Sequence, residues 1–312
     1  MSKKIKAVFI VGPTASGKTS LSIEVAKRFG GEIISADSMQ IYKGIHIASA
    51  APDDKEKDGM PHHLIDFLEL DEEFSVADYV KQARACIEEI YSRGKLPVIV
   101  GGTGLYINSL LDNTKFAEEE VDYKLRAELE IKMKLIGAEK MLEELANFDP
   151  VAAQRLHPNN RRRIIRAFEV YITTGKTITY HIENSHNEES NINALVIGIT
   201  YNDRELLYER INKRIDIMIE NGLLEEAEIT LDSSNSKGAF QAIGHKELYP
   251  YLQGELTLDE AKENLCRQTR RYAKRQLTWF RRDERINWIY ADLCENVAEE
   301  ATILIKDFLK EE

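Results

Sequence analysis

An α/β fold is predicted for this chain, with an open parallel sheet and a helical subdomain inserted into it. Three observations predict it. Short apolar runs recur with helical patterns between most of them, which implies parallel strands joined by right-handed crossovers. The first run, Ala7-Val8-Phe9-Ile10-Val11, leads straight into Gly12-Pro13-Thr14-Ala15-Ser16-Gly17-Lys18-Thr19. That G-x-x-x-x-G-K-T pattern, between a strand and a helix, makes the sheet P-loop NTPase-like. The strand–helix rhythm then stops near Asp112, and the chain is charged and helical in pattern until about Asn193.

The predicted strands are 5–11, 32–36, 64–68, 96–100, 194–199 and 286–290. A helix follows the first strand from Lys18 to Phe29. Ser75-Val76-Ala77-Asp78 is a capping-box signal, so the next long helix spans 76–93, with Gly94 ending it and Pro97 opening a strand. Within the insertion, 121–147 has helical periodicity and a second helix spans 159–174. Asn184-Ser185-His186-Asn187-Glu188-Glu189-Ser190-Asn191 reads as a linker. The domain reading is therefore 1–111 as the first part of the core and 112–193 as the inserted subdomain. Residues 194–312 form the second part of the core, with basic C-terminal helices.

The phosphate loop states its chemistry directly. The strand aims it, glycines let backbone N–H groups close around anionic oxygens, and the helix N-terminus adds positive potential. Lys18 is placed to reach the outer phosphate and Thr19 to hold Mg²⁺. The second strand ends in Ser35-Ala36-Asp37-Ser38-Met39-Gln40, where side chains face the ligand crevice of an open α/β sheet. From spacing alone Asp37 reads equally as a general base or as a turn cap or water-mediated Mg²⁺ support. Thr103, in the Gly101-Gly102-Thr103-Gly104 turn, is a possible contact. No carboxylate follows that strand, so the usual magnesium-supporting Asp of many ATPases is missing. Arg210 and Arg214 sit one helical turn apart, suited either to a phosphate clamp or to a solvated face paired with Glu209 and Asp216.

Net charge is −11 and the hydrophobic fraction 43%, ordinary for a globular protein. The charge is unevenly spread. Positions 117–120 and 224–228 are acidic, while Arg161-Arg162-Arg163-Ile164-Ile165-Arg166 and the stretch 267–285 are basic. The latter combines Arg270 and Arg271 with Tyr272, Trp279 and Phe280. Arginines on phosphate are expected there, with Trp279 and Phe280 mostly core. No apolar run approaches the ~18–20 residues that cross a bilayer, and the N-terminus reads as a strand and not a signal peptide. The three cysteines show no disulfide or metal spacing, which points to a reduced cytoplasm. None of the seven histidines is assigned to a metal.

The chain resembles the tRNA dimethylallyltransferase (tRNA isopentenyltransferase) family, bacterial type. The matching segments are GPTASGKT (12–19), ISADSMQIYKG (34–44), PVIVGGTGLYI (97–107), DPVAAQRLHPNNRRRIIRAFEVY (149–171), RINKRIDIMIENGL (210–223) and RQTRRYAKRQLTWFRR (267–282). The resemblance implies transfer of a dimethylallyl group from dimethylallyl diphosphate to the exocyclic amine of the adenosine immediately 3′ of the anticodon. It implies Asp37 as general base and Gly12, Pro13, Thr14, Ala15, Ser16, Gly17, Lys18 and Thr19 on the diphosphate. Mg²⁺ is expected as cofactor, and Arg214 as a second clamp on the leaving group. It further implies tRNA contacts at Asp37, Ser38, Met39, Gln40, Thr103, Arg126 and the stretch Arg162, Arg163, Ile164, Ile165 and Arg166. Two departures stand out. Ala48-Ser49-Ala50-Ala51-Pro52 replaces a Gly-Thr-Ala-Lys-Pro run, and Gly244-His245 replaces a Gly-Tyr pair.

A small-molecule kinase using ATP would share the phosphate loop, but it does not need the insertion or the two basic clusters. A non-catalytic nucleotide-dependent RNA-binding module would need no base at Asp37. Nothing in the sequence demands more than a monomer.

Overall fold

The computed structural model describes residues 4–116, 122–185, 190–232 and 242–311. The acidic run 117–120 and the linker positions 186–189 lie outside them. Packing divides the chain into two units, 1–111 with 190–312, and 112–189.

In chain order the first unit begins β1 (Ile5–Val11), α1 (Lys18–Phe29), β2 (Gly31–Ser35), α2 (Asp54–Lys57), β3 (His62–His63), α3 (Val76–Ser92), β4 (Leu96–Gly101) and α4 (Gly104–Leu111). The second unit holds α5 (Tyr123–Ile136), α6 (Ala138–Ala146), α7 (Pro150–Arg155), α8 (Arg161–Thr174) and α9 (Ile178–Asn184). The first unit then resumes with β5 (Ile192–Thr200), α10 (Arg204–Glu220), α11 (Leu223–Asp232), α12 (His245–Leu252), α13 (Leu258–Phe280), β6 (Ile286–Tyr290) and α14 (Val297–Lys310). Strand β5 starts at Ile192, two residues before the expected 194, because Ile192 and Asn193 pair with Ile5 and Lys6.

Among the described residues, six strands form one sheet in the order β3-β2-β4-β1-β5-β6, every neighbouring pair parallel. The middle of β1, Ala7 to Val11, has no exposed surface, as expected for a strand covered on both faces. On one face α1 and α14 bury Leu21, Val25, Ala301 and Ile305 against Val8, Ile10 and Ile197. A separate helical layer, α10 to α13, closes around Leu207, Ile211, Ile215, Leu248, Leu265 and Ala273.

The third strand departs from expectation. Pairing is confined to His62 and His63, while 64–68 is not extended. Leu64 and Asp66 have φ of 57° and 55°, which a strand cannot accommodate. Only Leu68 bridges, to Tyr42. The helix expected over 121–147 is likewise two helices, broken at Gly137 with φ 86° and ψ 163°. The helix expected over 159–174 begins at Arg161, with Asn160 as its N-cap.

The second unit has its own core, in which Leu129, Met133, Met141, Leu145, Ile164 and Phe168 are buried together. The buried Asp149 ties it locally. Its carboxylate caps α7 at Ala152 N (3.0 Å) and accepts from Thr179 Oγ1 (2.6 Å), the second residue of α9.

At the start of β2 the buried Glu32 accepts from Lys95 (2.8 Å), Arg93 (2.7 Å) and His63 (2.7 Å). Burial, the largest single influence, would raise its pKa. The three donors together outweigh it and bring the carboxyl from 4.5 to about 2. The folded-state pKa is depressed, so this contribution is present above the ordinary carboxylate range and fades as pH falls towards 2. Glu32→Ala should cost about 1–2 kcal/mol, since Arg93 and Lys95 are partly exposed and water replaces much of what the carboxylate gives them. A lower urea midpoint at unchanged slope at pH 7, with the gap to wild type shrinking near pH 3, is the expected result.

Candidate active site

At the carboxyl ends of β1, β2 and β4, three loops meet α10 and α13 around one cavity of about 340 Å³. Strand ends in an open α/β sheet are where ligands bind. All the lining residues belong to the first unit.

The phosphate loop forms one wall. Gly12 has φ 147°, and a Cβ there would overlap the Ile199 carbonyl, so only glycine lets β1 turn beside β5. Gly17 is the N-cap of α1 and offers no side-chain oxygen to the first-turn N–H groups. Those donors are available to an anion. Ser16 is 2% exposed, and its hydroxyl has no partner among the described residues, which an oxygen-rich anion would supply. Lys18 Nζ donates to Pro13 O at 2.6 Å. Burial, and then the Arg214 charge, pull its pKa down to about 7, with Asp37 opposing. An anion placed beside this amine would favour its protonated, positively charged form.

Arg214 enters from α10 and donates to Ala50 O at 3.4 Å. Burial lowers its pKa despite the carboxylates of Glu56 and Asp37. Arg210 does not point into the cavity. Its Nε donates to Ala15 O at 3.0 Å and its guanidinium lies over Tyr201, so it braces the phosphate loop from behind. Asp216 pairs with Lys262 (2.6 Å), which removes one of the two expected partners of a solvated arginine face.

Asp37 faces Lys18 and Arg214 across the pocket. Burial raises its pKa, while the Met39 N–H (2.9 Å to Oδ1) and the Lys18 charge pull the other way. The result is a carboxylate more basic than an exposed one, held by the backbone N–H groups of Met39 and Gln40. Thr103 Oγ1 accepts from Ser38 N at 3.1 Å and lies on the loop after β4. Gln40 lines the cavity, with its amide engaged by neighbouring protein groups. It accepts from Ser35 Oγ (2.8 Å) and donates to Ser49 O and Ala50 O (3.4 and 3.3 Å).

An apolar wall of Ile211, Ile215, Met218, Leu223, Ile243 and Leu265 completes the cavity. Its floor is the loop 48–52, where the chain departs from the family pattern. The structure joins the two departures through one carboxylate. Glu226 accepts from Ile47 N (2.7 Å), Ala48 N (2.8 Å) and His245 Nε2 (2.9 Å). Gly244, beside His245, comes close to the Ala48 methyl. The loop 48–52 is thus held through a buried Glu–His pair.

The basic residues divide by position. Arg161, Arg162, Arg163 and Arg166 are exposed on α8, but Ile164 and Ile165 are buried in the second unit's core. The expected tRNA contact through those two side chains is therefore corrected, because helical spacing turns them inward. Arg126 forks onto the buried Glu169 (2.6 and 3.1 Å). Arg270 donates to Asn212 Oδ1 (2.9 Å) and Arg271 is exposed. Neither lines the cavity, whereas Thr269, Tyr272, Arg275 and Gln276 of the same helix do. Phe280 is core, as expected, while Trp279 is 37% exposed. It lies against Gly104 and donates to Asn108 Oδ1 at 3.0 Å.

Residues 40–283 match the IPP transferase family profile. The chain belongs to the IPP transferase family. It is 53% identical over 285 residues, 91% of each chain, to the tRNA dimethylallyltransferase of Acetivibrio thermocellus. Among solved structures it is similar to the tRNA isopentenylpyrophosphate transferase of Bacillus halodurans, with TM-score 0.71, 44% identity and coverage of 98% and 96%. A eukaryotic dimethylallyltransferase acting on tRNA aligns with TM-score 0.83 at 30% identity, covering 98% of this chain and 81% of that one. Family membership removes the kinase alternative, since relatives along nearly the whole length are transferases of a prenyl group.

The donor set suits Mg²⁺ only in part. Among the described residues no three His, Cys, Asp or Glu side chains converge, so there is no all-protein cage. Thr19 and Asp37 are both oxygen donors on one cavity, which fits a hard ion that takes its remaining ligands from phosphate and water.

Proposed function

We propose that this chain transfers a dimethylallyl group from dimethylallyl diphosphate to N6 of the adenosine immediately 3′ of the anticodon in tRNA, releasing diphosphate. The observation that carries the reading is one cavity in which Lys18 and Arg214 face Asp37 beside an apolar wall. The cations suit the diphosphate and the wall suits the prenyl tail. Relatives along nearly the whole chain are named as dimethylallyltransferases of tRNA, which supports the coarser part of this reading.

The chemistry follows from the charges. As the allylic C–O bond breaks, negative charge grows on the leaving oxygens, where loop amides, the Ser16 hydroxyl, Lys18 and Arg214 are aimed. Thr19 would hold Mg²⁺, which when bound neutralises diphosphate charge. An adenine amine is a poor nucleophile, and Asp37 takes its proton as the C–N bond forms. The loop Asp37 to Gln40 with Thr103 borders the space for an extruded base, and an unpaired loop base costs least to extrude. Arg162, Arg163 and Arg166 of the second unit, and separately Arg270 and Arg271 of the first, neutralise tRNA phosphates, and Arg126 supports the α8 arginines through Glu169. The enzyme works as a cytoplasmic monomer. The unpaired cysteines Cys86, Cys266 and Cys294 suit a reducing compartment, and no described helix is long and apolar enough to cross a membrane.

Incubation of the enzyme with Mg²⁺, dimethylallyl diphosphate and an anticodon stem-loop bearing that adenosine tests the reading. One added dimethylallyl mass on that nucleoside is expected, and its absence from a competent stem-loop would reject it. Arg162→Ala and Arg271→Ala should each weaken tRNA binding several-fold and lower the slope of log affinity against log salt by about one. Unchanged slopes in both would move the RNA surface elsewhere.

A further inference from the structure

Gln276 is 5% exposed and sits on the cavity face of α13 with Leu265, Thr269 and Tyr272. Beside an interaction with the Tyr272 hydroxyl, its amide meets the backbone of two loops that line the cavity. Oε1 accepts from Thr14 N of the phosphate loop at 2.8 Å. Nε2 donates to Gly102 O, one residue before Thr103, at 3.0 Å. A Cβ at position 102 would overlap that Nε2, so the approach depends on glycine. From Gly102 the connection continues. Thr103 N donates to Ala36 O (3.2 Å) and Thr103 Oγ1 accepts from Ser38 N (3.1 Å). One side chain thus stands between the wall that meets the diphosphate and the wall that carries Asp37.

We propose that Gln276 is a positioning residue that fixes the spacing of the phosphate loop and the acceptor loop, aligning leaving group with incoming amine. The inference rests on the transferase reading above. In-line displacement needs donor carbon and acceptor nitrogen held within a few tenths of an ångström of the reactive geometry, and a misplacement of 1 Å costs about 100-fold. A side chain bonded to the backbone of both loops controls that distance. Its two halves act separately. The acceptor oxygen holds the diphosphate side, and the amide donor holds the base side.

Two variants separate the halves. Gln276→Leu removes both bonds at similar volume. Pyrophosphate affinity should fall about tenfold and kcat about 100-fold, with the circular dichroism spectrum of the wild type retained. Gln276→Glu keeps an acceptor for Thr14 N but sets a carboxylate against the Gly102 carbonyl. Its pyrophosphate affinity should stay within threefold of wild type while kcat at pH 8 drops about 100-fold. At pH 6 the carboxyl, protonated in its buried site, donates to Gly102 O. The ratio of its kcat to that of wild type should then rise at least fivefold. A buried glutamine that merely filled space would give no such pH response. Wild-type kinetics from Gln276→Leu, or a flat pH ratio for Gln276→Glu, overturns the proposal. If Gln276→Leu does not fold, the pH response decides alone. Loss of wild-type turnover would tell against the transferase reading instead, and pyrophosphate affinities of the variants would still decide this one.

Discussion

Replacing Asp37 by Asn should bring prenyl transfer nearly to a halt while the anticodon stem-loop binds about as tightly as before. The two side chains have the same size, and Asn can still accept from Met39 N (2.9 Å in the native chain), so the turn after β2 survives. What is lost is a proton acceptor in the cavity, and general-base removal costs about 10²–10⁴ in rate. The loss should appear in kcat, with KM for RNA within a few-fold. The pH profile gives an independent reading. Burial raises the Asp37 pKa against the pull of Met39 N–H and Lys18. The acidic limb of kcat/KM should therefore lie above the ordinary carboxylate range and vanish from the residual activity of Asp37→Asn. Turnover within tenfold of wild type would remove Asp37 from the proton transfer.

Binding of pyrophosphate should draw a proton onto Lys18. In the free cavity, burial and Arg214 hold that amine at about 7. A diphosphate beside it favours the charged form and raises the pKa in the complex. The linkage sign follows. Affinity is greatest below the free-state pKa of about 7 and falls as pH rises above it, by at most about tenfold per unit. Calorimetry at pH 8 in two buffers of different ionisation enthalpy should show an uptake approaching one proton beyond that of the ligand itself. Lys18→Met should abolish the extra uptake and weaken pyrophosphate binding about 100-fold, the loss of a charge-assisted contact in a poorly solvated site. Equal proton uptake by the two proteins would place the titration elsewhere.

What could be read from the sequence was what is local in sequence. The phosphate loop is eight consecutive residues whose backbone needs dictate their types, and Asp37 follows a strand end by two positions, so both stand out in a linear reading. From its spacing Arg214 is only one of a pair, singled out by the family resemblance, because its distinction from Arg210 depends on what lies across the pocket. Arg210 meets a carbonyl behind the loop and Arg214 meets the cavity. Gln276 gave no signal of this kind, since its two partners are 262 and 174 residues away. The helical spacing of Leu265, Thr269, Tyr272 and Gln276 marks the cavity face of α13, but dense arginines interleaved with it mask the pattern. The Glu226–His245 pair was half-visible as two unexplained departures, and only the fold joins them. The third strand failed because two residues with positive φ break an apolar run that looks extended.

Strand β1 has partners made at very different times. It pairs with β4, finished by Gly101, and with β5, which begins at Ile192. A ribosome adding roughly 5–20 residues per second takes on the order of 5–20 s to supply the stretch between them. During that interval one edge of the most apolar strand, Ala7 to Val11, is bare and open to pairing with another nascent chain. The helices made meanwhile bury their own apolar residues without it. Yield on overexpression should therefore depend on translation rate and on holdase chaperones more than the stability of the finished sheet would suggest.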